Sequence, residues 1–170
     1  LQDVRLTESQ FKHAEDLNLK YLLALDADRL LAPFFREAGL QPKAQGYTNW
    51  ENTGLDGHIG GHYLSGLSYM YASTGNTEIL NRLNYMLSEL KKCQDTNGNG
   101  YIGGVPGSKA MWKDIHEGKI NAGNFNLNDK WVPLYNIHKT FNGLRDAYLQ
   151  AGIESAKEML MKYGDWAVNT

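Results

Sequence analysis

Gly54-Leu-Asp-Gly-His-Ile-Gly-Gly-His-Tyr-Leu-Ser-Gly-Leu-Ser-Tyr-Met-Tyr-Ala-Ser-Thr-Gly75 is the stretch whose reading decides the fold. It opens on glycines, Asp56 and two histidines, then runs into an apolar segment that closes on a glycine. From roughly Gly57 to Thr74 the side chains of Tyr63, Leu64, Leu67, Tyr69, Met70 and Tyr71 take up most of a helical circumference. A helix that is apolar nearly all round is expected to be buried all round. The polar entrance allows two readings: a Gly-rich loop capping a core helix, or the place where a helical enzyme holds a small ligand.

The same pattern recurs further on. Gly66-Leu-x-x-x-Tyr71-x-x-x-Gly75 is matched, 77 residues later, by Gly143-Leu-x-x-x-Tyr148-x-x-x-Gly152. Each copy leads into an amphipathic helix, with Leu83 and Leu160 at equivalent positions, and a histidine precedes each, His62 and His138. The repeating unit is an inner helix, a short glycine turn and an outer helix. Stacked hairpins of this kind make solenoids or closed α/α barrels. The repeat sets His138 level with His62.

Other segments fill in an all-α chain. Helical spacing from Ser9 to Leu25 includes Phe11, Ala14, Leu17, Tyr21 and Leu22, with Thr7 or Ser9 as N-cap. Asp26 caps a second helix that ends near Gly39 and is expected to bend at Pro33. Residues 40–56 read as a loop from which Trp50 and Glu51 reach a ligand or tuck underneath. Helices are predicted over 77–94, 132–151 and 153–168. Residues 95–130 are rich in Gly and Asn, with no strand predicted, and read as a functional surface loop or an insertion.

Composition narrows the function classes. A chain of 170 residues fits a single all-α segment, 1–170, with 42% hydrophobic and 21% charged residues. A net charge of −2 makes no electrostatic case for nucleic acid or an anionic membrane surface. No apolar run approaches the roughly 18 residues of a membrane span. Leu1–Arg5 lacks the basic region and apolar core of a secretory leader, and the compartment stays open. The single cysteine, Cys93, excludes an internal disulfide and a cysteine-rich zinc site among these residues. Ten Tyr, four Trp and five Phe suit a sugar-stacking site or a well-packed core.

Three motifs carry chemistry. His58 and His62 stand at i and i+4 and share a helical face. A zinc helix needs a Glu beside the first His and a third ligand, and neither is indicated. Hydrogen bonding to a polyhydroxyl ligand is the better reading, because neutral imidazole offers one donor and one acceptor. Asp95, Asn97, Asn99 and Gly100 follow the first positions of a calcium loop, but Pro106 stands where a bidentate Glu is required, so a turn-rich loop is preferred.

Trp131-Val-Pro-Leu-Tyr-Asn-Ile-His-Lys139 gathers aromatic, amide, imidazole and ammonium groups at a helix start, with Pro133 suited to the first turn. Either these groups wall a pocket, or Trp131 and Tyr135 plug a barrel end. Among the carboxylates, Glu51, Asp56, Asp114, Glu117 and Asp129 are candidates for acid–base work, with no evident pairing. Cys93 reads as a small packing residue.

Gly57-His-x-x-Gly-His-Tyr-Leu-Ser, Asn99-Gly-Tyr-Ile-Gly-Gly and Trp131-Val-Pro-x-Tyr-Asn-x-His-Lys, in that order, resemble the N-terminal part of the β-L-arabinofuranosidases. These are glycoside hydrolases of families 127 and 146, once catalogued as a domain of unknown function. Asp3-Val-Arg-Leu and Leu30-Leu-Ala-Pro-Phe are similar to its N-terminus as well, so the likeness runs through essentially all 170 residues.

The resemblance implies an (α/α)6 barrel of six hairpins. It also implies hydrolysis of terminal β-L-arabinofuranosides with retention, by a cysteine thiolate held on zinc. That family's nucleophile, zinc ligands and acid/base glutamate lie in the later half of the barrel, beyond these residues, and Cys93 matches none of them. No cofactor is therefore expected within this chain, while zinc is implied for the full-length family member. His138 resembles a residue that hydrogen-bonds the arabinose; Asp56, His58, His62, Trp131 and Tyr135 extend that site by position. The implied partners are an L-arabinofuranoside-containing glycan and the remainder of the barrel, or another copy of the chain. Two other classes stay open: a different α/α-barrel carbohydrate enzyme (inverting hydrolase, lyase or epimerase), or a non-catalytic helical carbohydrate-binding module.

Overall fold

Ser9, Asp26 and Asn76 each turn a side-chain oxygen onto the backbone N–H groups that follow, and each starts a helix: α1 (Gln10–Ala24), α2 (Ala27–Glu37) and α4 (Thr77–Asn97). The computed structural model describes residues 1–170 and adds α3 (His58–Thr74), α5 (Ser108–His116), α6 (Pro133–Ala151) and α7 (Glu154–Val168). A short 3-10 turn covers Asn49–Asn52. The fold is all-α apart from three two-residue strands, β1 (Ala122–Gly123), β2 (Asn126–Leu127) and β3 (Lys130–Trp131), paired antiparallel in that order. No helix is long and apolar enough to cross a membrane.

The repeat is visible as a register. α3 and α6 lie side by side and parallel. Asn142 donates to Ser65 Oγ at 3.1 Å and Tyr69 donates to Asp146 Oδ1 at 3.5 Å, both pairs 77 residues apart. Gly75 and Gly152, each with positive φ, end the two helices and reverse the chain into α4 and α7. Leu83, Met86, Leu87 and Leu90 of α4 and Met159 and Tyr163 of α7 close one core with Leu64, Leu67 and Leu144.

The crossing of α3 and α6 is as close as backbones allow. A Cβ added at Gly61 would stand 2.5 Å from the Lys139 carbonyl oxygen and 2.7 Å from Thr140 N. One added at Gly143 would stand 2.6 Å from the Gly61 oxygen. Gly66, the repeat partner of Gly143, does not share this role: its added Cβ would meet only Leu22 Cδ2, at 3.4 Å.

Several expectations change. α2 runs through the buried Pro33 and ends at Glu37, two residues before the expected stop at Gly39. α3 is not buried all round, since His62 and Tyr69 are exposed. On α1, Phe11, Leu17 and Tyr21 have helical spacing but lie open to solvent.

Residues 95–130 are a surface loop only in part: residues 116–126 are exposed but carry strands the sequence does not suggest, and the first part of the stretch is built into the fold. α4 runs on to Asn97, α5 follows, and Tyr101, Ile102, Met111 and Trp112 enter the core. Glycines make this possible: a Cβ at Gly104 would stand 2.8 Å from the Asp56 oxygen and from Pro33 Cβ. The calcium-loop reading falls with it, because Asp95 and Asn97 are helical and Asp95 pairs with Lys91 at 2.7 Å.

Tyr163 is fully buried and its hydroxyl has no hydrogen-bond partner. Burial first, then the neighbouring Tyr101, raises its pKa well above the ordinary tyrosine value. An unpaired buried donor costs about 1–3 kcal/mol. Tyr163→Phe is therefore expected to stabilise the protein by about 1 kcal/mol, raising its melting temperature by roughly 2–4 °C. A lower melting temperature in calorimetry would show that the hydroxyl carries a bond worth more than its burial.

Candidate functional site

The parallel register brings the N-terminal turns of α3 and α6 together, and the first turns of both helices carry polar aromatic side chains. His62 Nε2 lies 3.3 Å from the Tyr135 hydroxyl. The His58 ring is 6.1 Å from those of both His62 and Tyr135, and the Lys139 ammonium sits 4.4 Å from the Tyr135 ring centroid. His58, His62 and Tyr135 thus form one cluster, with His62 and Tyr135 facing solvent and His58 beneath them.

The two histidines are driven apart in basicity. Burial works to lower the His58 pKa, but the hydrogen bonds to Glu51 and to the Leu55 carbonyl outweigh it and raise the value above 6.5. His62 moves down, by burial first and then by the positive charges of Lys139, His58 and His138. Neighbouring imidazoles pushed in opposite directions give one site two rings of different basicity, each able to hydrogen-bond a hydroxyl.

The other predicted residues occupy different surroundings. His138 is exposed and lines a groove between α6 and α7 with Phe141, Asn142, Arg145, Leu160 and Met161. It stands near the level of His62, close enough for its charge to bear on that ring, but outside the contacts that join His58, His62 and Tyr135. Trp131 stacks on Trp50, ring centroids 5.9 Å apart, and both are exposed, Trp50 by 61%. Each tryptophan adjoins a non-glycine residue in the left-handed region, Asn49 at φ 59 and Val132 at φ 40. For a β-branched residue such as Val132 this is a strained conformation.

Asp56 is 3% exposed and held within the scaffold: Arg36 Nη2 lies 2.6 Å from one carboxylate oxygen, and Gly54 N–H donates to the other at 3.2 Å. Asn136, central in the Tyr-Asn-x-His-Lys motif, turns inward to a small cavity shared with Thr140, Trp112 and Tyr163. The motif's polar residues therefore divide between the rim and the interior.

Sequence reasoning left Glu51 without a partner, yet the structure places its carboxylate against His58. The signal was Gly57, a helix-start residue with no side chain to satisfy the first N–H groups, so an acceptor had to arrive from elsewhere. A zinc–thiolate centre does not fit the residues present. Cys93 is buried in the core, its thiol pushed up to about 12 by burial and the nearby Glu89 charge, and no three His, Cys, Asp or Glu side chains converge into a metal-holding group.

A comparison with curated proteins found no match. A family model described as the β-L-arabinofuranosidase, GH127 catalytic domain, matches residues 3–170. That match covers nearly the whole chain, and the chain belongs to the GH127 β-L-arabinofuranosidase catalytic-domain family.

Proposed function

We propose that this chain forms the sugar-binding wall of a retaining β-L-arabinofuranosidase, with His62, Tyr135, His58 and His138 hydrogen-bonding the arabinose and the Trp50–Trp131 pair flanking it. The observation that carries the reading is the convergence of His58, His62 and Tyr135 at the paired N-terminal turns of α3 and α6. Such a cluster presents donors and acceptors at several heights to a ring of hydroxyls, with aromatic faces beside them. Its contribution to rate is positioning, which lowers the entropic cost of bringing the anomeric carbon to the reacting groups.

The nucleophile and the zinc that activates it are assigned to parts of the catalytic domain outside these residues, in keeping with the buried, protonated state of Cys93. The remaining hairpins of an (α/α)6 barrel are the assigned neighbours of the exposed apolar side chains of α1, Phe11, Leu17 and Tyr21.

The test is arabinose release from an aryl β-L-arabinofuranoside by the full-length protein containing this chain. His62→Ala and His138→Ala are each expected to lower kcat/KM about 10- to 100-fold, the loss of one or two hydrogen bonds to the sugar. Undiminished efficiency in both variants would overturn the assignment. Release of no arabinose by the wild type, with binding of L-arabinose retained in calorimetry, would favour a carbohydrate-binding module.

A further inference from the structure

α3 starts on Gly57 in the left-handed region, at φ 92, with no capping side chain of its own. α5 starts the same way on Gly107, at φ 73. Both helices are capped from a distance by a glutamate. Glu37 takes the N–H groups of Gly107 and Lys109 at 2.9 and 2.8 Å. Glu51 takes those of Gly57 and Ile59 at 2.9 and 3.0 Å.

The second cap does more than the first. The Glu51 oxygen that accepts from Ile59 also lies 2.6 Å from His58 Nδ1, and the same nitrogen is 2.8 Å from the Leu55 carbonyl oxygen. Both neighbours of Nδ1 are acceptors, so the ring proton resides there. Nε2, on the opposite edge of the ring, is left without a partner among these groups. Glu51 is 5% exposed, and two backbone bonds fix its carboxylate in place.

We propose that Glu51 is the positioning residue of the sugar site: its carboxylate holds His58 with Nδ1–H turned inward, so that Nε2 is the atom presented to a substrate hydroxyl. This rests on the sugar-site reading above.

The groups facing His58 are Glu51 from the 3-10 turn, His62 from α3, and Tyr135 and Lys139 from α6. Burial and, less strongly, Lys139 oppose the cation, Glu51 and the Leu55 carbonyl favour it, and the balance raises the His58 pKa. The sign follows: stability from this pair is fully present below the ordinary histidine value and is lost as pH rises through the raised one.

Nitrogen-15 NMR of the histidine rings tests the proposal, first in the wild type and then in Glu51→Gln, which keeps the shape but removes the charge. The expected wild-type signature is a persistent Nδ1–H form of His58 titrating above the ordinary histidine value. Glu51→Gln is expected to lower that midpoint and mix the tautomers. A wild-type Nε2–H form, or a midpoint indifferent to Glu51→Gln, overturns the proposal; the wild-type measurement alone decides if the variant does not fold.

Kinetics supply the second arm. Glu51→Gln and His58→Ala in the full-length protein are each expected to lower kcat/KM about 10-fold, and the double variant no further. Additive losses overturn the route through His58. If Glu51→Gln is silent while His62→Ala is impaired, only this proposal fails. If His62→Ala and His138→Ala are silent as well, the sugar-site reading itself has failed.

Discussion

Gly61→Ala is expected to cost about 3 kcal/mol of stability, lowering the melting temperature by roughly 6–12 °C. Two effects compete. Alanine in a helix interior gains about 1 kcal/mol over glycine by intrinsic propensity. Against that, the new methyl would stand 2.5 Å from the Lys139 carbonyl oxygen and 2.7 Å from Thr140 N, both backbone atoms of α6. Ordinary contact needs about 1 Å more, and a packed helix cannot swing aside as a side-chain tip can.

The steric cost therefore wins. Gly66→Ala is the control: its methyl meets only the end of Leu22 at 3.4 Å, so the variant should be as stable as the wild type or slightly more so. Calorimetric melts of the two variants check the pair. Equal melting temperatures would mean that α6 yields at this crossing.

Asp56→Ala is the second large effect, a loss of about 2 kcal/mol, or roughly 4–8 °C. The substitution leaves Gly54 N–H without its acceptor and Arg36 without its partner at the entrance to α3. Arg36 is half exposed and water takes over part of its pairing, so the cost stays below the 3–5 kcal/mol typical of a fully buried pair. Chemical denaturation should register the change as a lower midpoint with an unchanged slope. An Asp56→Ala protein of wild-type stability but weakened arabinose binding would instead assign this carboxylate to the ligand.

Helices with their own caps and stripes were legible in the sequence. Ser9 and Asp26 cap as the sequence reading expected, Asn76 caps α4 without having been singled out, and the repeat offset of 77 residues proved to be the physical register of α3 against α6. The stretch from Asn99 to Trp112 was not legible. Its glycines look like loop residues, but Gly104 serves close approach to Asp56 and Pro33 and so carries Tyr101 and Ile102 into the core. Residue type alone does not separate a glycine that bends from one that makes room.

The site divides along the same line. His58, His62 and Tyr135 could be placed together because helical spacing and the repeat fix their level and face. The sequence reading extends the sugar site to Asp56 and leaves Glu51 unpaired, whereas in the structure it is Glu51 that touches the histidine cluster and Asp56 that is held by Arg36 and Gly54. Their difference lies in which partner the folded chain brings, Arg36 for one and His58 for the other.

The glycine crossing of α3 and α6 also sets an order of events during synthesis. The helices that touch most closely are encoded 77 residues apart, so α3 leaves the ribosome long before its partner exists. At about 5–20 residues per second, its glycine groove and the apolar side chains around it wait roughly 4–15 s for α6. During that interval α4 can fold back on one side of α3, but the face reserved for α6 stays uncovered. Slowed translation across residues 98–132 would lengthen this exposure, and nascent-chain aggregation or chaperone capture is the place where it would first be felt.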